Sequence, residues 1–275
     1  MQSINTLSFT PDVNNWLANT RHPRILHIFD RACNLINEHM EILSMVTSQI
    51  GNGPFNLVLE EDILLSEYLT IESSISILGD QLTLGDLLVN IADAKLWSPR
   101  PDWEVLHAQK AQVIHQINSL EVPAYPFLLS SALLSTFCTS IATADLLGSL
   151  TVTRKLAGLG IGLTPAGDDF IMGAIYAAWV IHPFKVAEAL AREIANIAAP
   201  LTTSLSAAWL RSAGRGDAGV LWHQFFNALI SSYPVQVQDA MDRILAIGET
   251  SGGDALAGFL RTMKCCVESR VPRFS

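Results

Sequence analysis

The tripeptide Pro99-Arg100-Pro101 divides this sequence into two parts of different period. On its N-terminal side apolar residues tend to alternate, as in a half-buried strand. On its C-terminal side they recur every three or four positions, as on one face of a helix.

Working back from Pro99, the segment between about Arg24 and Ile91 favours strands. "RACNLINEHMEILSMVTSQIGNGPFNLVLE" (Arg31 to Glu60) holds short β-prone runs broken at Asn37-Glu38 and at Gly51-Asn52-Gly53-Pro54, with Leu57 and Leu59 alternating with their neighbours. "EYLTIESSISILGDQLTLGDLLVNI" (Glu67 to Ile91) continues the pattern, with Gly79-Asp80 as a turn. These pieces predict a small antiparallel sheet or barrel of five or six strands.

Working forward from Pro101, helical periodicity covers His107–Leu120, Pro126 to about Thr143, Pro165–Ile181, Phe184–Ala199, Thr202–Ala213, Gly219–Ile230, Pro234–Ile247 and Gly252–Val267. Pro126, Pro165 and Pro234 sit near helix starts, where a missing N–H costs least, and Gly214 and Gly248 follow apparent helix ends. The predicted class is α+β: a β-rich domain over residues 1–100, then an α-helical domain over 101–275.

The chain has 275 residues, 49% of them hydrophobic and 16% charged, which points to a large buried core. Its 17 basic and 26 acidic residues give a net charge of -9, and no Lys/Arg cluster is placed to neutralise a row of phosphates, so nucleic acid is a poor partner. The four cysteines follow no metal-ligand spacing and are too sparse for a secreted disulfide scaffold. The N-terminus lacks the basic start and apolar run of a signal peptide, so a cytoplasmic location is expected. Val122–Ala144 carries no formal charge, but its seven Ser/Thr residues and two prolines favour a buried helix over a membrane span.

The densest motif is "GLGIGLTPAGDDFIMG", Gly158 to Gly173. Capping accounts for part of it: Thr164 as N-cap, Pro165 as first helical residue, and Asp168 and Asp169 in the first turn, where a carboxylate is worth about 0.3–1 kcal/mol against the helix dipole. Capping leaves the alternating Gly158, Gly160 and Gly162 unexplained. Glycines in that arrangement let the backbone turn through positive φ and present N–H groups to an anion at a helix start.

The motif has an echo 86 residues on, where "GETSGGDALAG" (Gly248 to Gly258) aligns Gly248 with Gly162, Thr250 with Thr164, Gly253 with Gly167 and Asp254 with Asp168. If the two helix starts converge, Gly160, Gly162, Thr164, Thr250, Ser251 and Gly252 can hold a phosphate or carboxylate. Asp168, Asp169 and Asp254 are then the candidate catalytic carboxylates, with Mg²⁺ a candidate ion on Asp168 and Asp169. The competing reading is two strong helix starts whose glycines permit close packing. The spacing is neither that of a dinucleotide fingerprint nor that of a P-loop, so no nucleotide or organic cofactor is expected. Between the copies, "TTSLSAAWLRSAGRGDAG" (Thr202 to Gly219) bunches Thr202, Thr203, Ser204 and Ser206 at a helix start, with Arg211 and Arg215 further on, a set able to grip an oxyanion or simply to cap a helix. The histidines are scattered and mark no metal pair.

With these residues in view, the chain resembles the AllH-like family, the third subunit of oxamate carbamoyltransferase in anaerobic allantoin degradation. "GLGIGLTPAGDD", "TTSLSAAWLRSAGRG" and "GETSGGDALAGF" carry the resemblance, with "GNGPFNLVL" (Gly51 to Leu59) as an earlier match. The resemblance implies participation in carbamoyl transfer, oxalurate and phosphate exchanging with oxamate and carbamoyl phosphate, in company with other carbamoyltransferase subunits. It does not say which subunit carries the chemistry. A non-catalytic assembly subunit and a free-standing small-anion binding protein are the alternatives.

Overall fold

The computed structural model describes residues 2–123, 131–231 and 233–268. The chain forms two units, one up to residue 99 and one from residue 100 onward.

The first unit is a nearly closed, barrel-like sheet. Its elements are β1 (Gln2–Phe9), α1 (Pro11–Asn19), β2 (Arg24–Ile28), β3 (Ala32–Ile36), β4 (Ile42–Val46), β5 (Asn56–Leu59), α2 (Leu65–Tyr68), β6 (Ile75–Leu78), β7 (Gln81–Leu84), β8 (Leu87–Asn90) and β9 (Lys95–Leu96). The strand order is β2-β3-β4-β5-β1-β8-β7-β6, with β9 paired to β1. The predicted turn at Gly79-Asp80 joins β6 to β7, with Gly79 at φ 57°. Thr10 caps α1 and also donates its hydroxyl to the Pro54 carbonyl at 2.8 Å, tying the helix to the Gly51–Pro54 turn. Alternate residues of the strands, among them Ile4, Leu35, Met45, Leu57, Leu82 and Val89, build the core.

Two details depart from the sequence expectation. There are nine strands among the described residues: seven lie within the Arg24–Ile91 window, and β1 and β9 lie outside it. The sheet is also mixed: β1 runs parallel to β8 and β9, and β4 runs parallel to β5. β1 inserts between β5 and β8, which are far apart in the chain. That pairing is non-local and leaves no mark in periodicity.

The second unit is helical: α3 (Trp103–Ala108), α4 (Lys110–Asn118), α5 (Ser131–Ala142), α6 (Leu146–Leu156), α7 (Ala166–Ile181), α8 (Phe184–Ala198), a short 3₁₀ turn (Ala199–Leu201), α9 (Ser204–Arg215), α10 (Val220–Ile230), α11 (Pro234–Leu245) and α12 (Ser251–Glu268). Helix α7 is the axis of this unit, buried at every position from Gly167 to Ile181. A helix apolar on all sides needs partners all round, and α12, α8, α9, α3, α5 and α6 supply them. Trp103 seals one side, stacking on Trp179 and Tyr176 and donating its indole N–H to the Gly216 carbonyl at 2.7 Å.

Helix α6 is missing from the sequence expectation, since "LLGSLTVTRKL" has a mixed pattern. The predicted His107–Leu120 helix is two helices meeting at Gln109. Gly214 lies inside α9, which ends at Gly216 in the left-handed region (φ 86°). The expected start at Pro126 lies outside the described residues. No helix among the described residues is long and apolar enough to cross a membrane.

Candidate functional site

Helices α7 and α12 bring the two copies of the glycine motif together. Gly173 and Gly258 set how closely: a Cβ at Gly173 would strike the Ala255 carbonyl, and one at Gly258 the Phe170 carbonyl. With backbone against backbone at this crossing, the helix starts meet. The Thr164 and Ser251 hydroxyls share a 2.8 Å hydrogen bond between the copies.

The contacts correct the register of the repeat by one residue within the helices. Gly167 donates its N–H to the Leu159 carbonyl and Gly252 donates to Ile247. A Cβ on Gly167 would meet the Leu156 carbonyl, and one on Gly252 the Ile244 carbonyl. Gly167 thus matches Gly252, Asp169 matches Asp254, and Asp168 matches Gly253. The alignment through Gly162 and Gly248 holds only in the turns, where both have positive φ (91° and 60°).

Thr164 does not cap α7. Pro165 occupies the cap position and provides no side-chain cap, while the Thr164 hydroxyl turns to Ser251. Ahead of it, Gly158, Gly160 and Gly162 all have positive φ, so the chain doubles back. The N–H groups from Gly160 to Thr164 and from Gly248 to Ser251 have no hydrogen-bond partner among the described residues. A Cβ at Gly162 would meet open space. Unpaired amides at two adjoining helix starts form a positive-ended, hydrogen-bond-donating surface.

The three aspartates differ in their surroundings. Asp168, 1% exposed, accepts from the Gly158 N–H at 2.8 Å, from the Ser206 hydroxyl at 2.9 Å and from the Thr202 hydroxyl. Burial raises its carboxyl above the usual range, and these three donors pull against the rise. Asp169, 5% exposed, is pushed well up by burial. Ser251 and Thr164 oppose that shift, and the neighbouring Asp254 and Asp168 charges add to it. Asp254, 2% exposed, is also raised by burial, against a hydrogen bond from Thr250. Asp169 and Asp254 each keep one buried carboxylate oxygen, Oδ2, with no hydrogen-bond partner among the described residues.

Of the two carboxylates expected to take Mg²⁺, Asp168 already accepts three hydrogen bonds, while Asp169 keeps its Oδ2 unengaged among the described residues. Thr203 caps α9 through the Ser206 N–H and donates its hydroxyl to the Leu163 carbonyl, so it joins the glycine loop to α9. Ser204 begins α9, half-buried. Arg211 is exposed and lies roughly 12 Å along the helix from Thr203, at 1.5 Å per residue. Arg215 is paired with Asp217 at 3.2 Å. Thr202 and Ser206 belong to the hydroxyl cluster expected at this helix start, but their partner is the Asp168 carboxylate, a pairing that spacing does not reveal.

Residues 156–263 match the family model described as oxamate carbamoyltransferase subunit AllH, and residues 5–96 match the model of the AllH family N-terminal domain. No solved structure matches the chain.

Proposed function

Because the chain belongs to the AllH family of oxamate carbamoyltransferase subunits, we propose that the joined starts of α7 and α12 are where it binds a small anion of carbamoyl transfer. The ligands meant are carbamoyl phosphate or phosphate, with oxamate or oxalurate beside it, in allantoin breakdown. One observation carries this reading: two turns of unpaired N–H groups are held side by side by the Thr164–Ser251 bond. Such amides stabilise charge on a phosphate without rearranging, which is where this kind of catalysis gains most.

In the transfer, the amide nitrogen of oxamate forms a bond to the carbamoyl carbon. The bond from that carbon to the phosphate oxygen breaks, and the proton lost by nitrogen ends on phosphate. Asp169 and Asp254 are the acids with an unengaged oxygen, and burial favours their protonated form. Their hydroxyl neighbours, Thr164 and Ser251 for Asp169 and Thr250 for Asp254, are less buried and can pass a proton between acid and ligand.

The test is a thermal-shift titration of the purified full chain with phosphate, carbamoyl phosphate and oxamate. A saturable rise in melting temperature is expected, because a ligand of the folded state alone must stabilise it. Thr164→Val and Ser251→Ala should each abolish the rise. A folded chain indifferent to every ligand overturns the reading.

A further inference from the structure

The two turns of the repeat are built differently. The turn before α12 is short and has one glycine of positive φ, Gly248; the turn before α7 is longer and has three. A loop with so much glycine has many backbone conformations open to it, and an anion site made of loop amides needs one of them. Asp168 stands where the second copy has Gly253, and it is the one acid of the three whose oxygens are both engaged.

We propose that Asp168 is the positioning residue of the anion site, its carboxylate fastened by Thr202 and Ser206 at the start of α9 and in turn holding the loop Gly158–Gly162 in its ligand-ready shape. This rests on the anion reading above and assigns it a loop and the group that shapes it.

Three further contacts agree. A Cβ on Gly158 would strike the Leu201 carbonyl, so the loop lies directly on the segment that carries Thr202. At the far end of the loop, Thr203 donates to the Leu163 carbonyl, so of two successive threonines one holds Asp168 and the other holds the loop itself. Gly160 approaches the first turn of α7 closely enough that a Cβ would lie 2.6 Å from the Ala166 nitrogen. Asp168 itself is too deeply buried to touch a ligand. It therefore acts through the loop rather than on the reacting atoms.

The experiment compares the wild-type chain with Thr202→Val, Ser206→Ala and the conservative Thr202→Ser. It uses hydrogen exchange at the Gly158 amide, the phosphate thermal shift, and kcat and KM for carbamoyl phosphate in the enzyme assembled with its partner subunits. Thr202→Val and Ser206→Ala should each speed Gly158 exchange and raise KM by about tenfold, the equivalent of one weakened hydrogen bond to a charged group, with kcat little changed. Thr202→Ser should restore both. Faster Gly158 exchange with unchanged phosphate binding and KM overturns the positioning role while leaving the anion site intact. Parallel loss of stability and kcat, unrescued by Thr202→Ser, overturns it in favour of a purely structural knot. A wild-type chain that binds no phosphate instead defeats the anion reading on which both stand.

Discussion

Gly173 on α7 and Gly258 on α12 each lie against the other helix's backbone, and neither position has room for a single added carbon. Gly173→Ala and Gly258→Ala should each destabilise the chain by about 3 kcal/mol or more, the upper range for overpacking, because the obstacle is a backbone carbonyl that cannot rotate away. Urea denaturation measures this directly. A midpoint shift no larger than that of an exposed Gly→Ala substitution would show that the helices do not cross so closely.

The hydroxyls of Thr164 and Ser251 join the two copies of the motif at their starts. A double-mutant cycle of Thr164→Val and Ser251→Ala should return a coupling of about 0.5–1.5 kcal/mol, the net worth of a hydrogen bond within a folded chain. Additive effects would mean that the two hydroxyls do not meet.

What the sequence revealed of this site followed from local chemistry. Gly158, Gly160 and Gly162 had to turn through positive φ, and they do. The repeat had to place two helix starts somewhere, but whether they met depended on Gly173 and Gly258, which look like ordinary small residues until a partner backbone lies against them. Thr164 reads as an N-cap because Thr before Pro usually is one. A hydroxyl from residue 251 outcompetes that role, and no local pattern announces such a long-range bond. Asp168 and Asp169 are adjacent and chemically identical in sequence, yet only Asp168 meets donors from α9.

The fold divides in the same way. The change of period at Pro99-Arg100-Pro101 made the β-rich and helical parts legible, since periodicity is a local property. The insertion of β1 between β5 and β8, with its parallel pairing, was not legible, because it depends on which distant edge a strand reaches. Helix α7 shows the converse case. Its unbroken apolar run from Phe170 to Ile181 is in itself the mark of a core helix, whatever its partners.

Trp103 anchors the helical unit through one hydrogen bond as well as by stacking. Trp103→Phe keeps an aromatic ring against Trp179 and Tyr176 but leaves the buried Gly216 carbonyl without its indole donor. The expected loss is about 1–3 kcal/mol, the cost of an unsatisfied buried group. Chemical denaturation of the full chain reads it, and a loss within a few tenths of a kcal/mol would show that another donor serves that carbonyl.

Asp169 should make stability fall as pH rises. Burial raises its carboxyl well above the ordinary aspartate value of 3.8, so the folded chain holds a proton that the unfolded chain has already released. Stability then declines from that ordinary value upward, until the folded-state carboxyl also ionises, because over this window the native state binds the more protons. Asp169→Asn removes this dependence. Its stability relative to wild type should be lowest in acid and should improve steadily toward alkaline pH, while Asp168 and Asp254, both also raised by burial, leave a residual slope in the variant. Denaturation curves from about pH 4 to about pH 9 give the comparison. Parallel profiles for the two proteins would mean that Asp169 is ionised in the folded chain throughout, with a positive group compensating it, and the proton-handling role assigned to it would have to be given up.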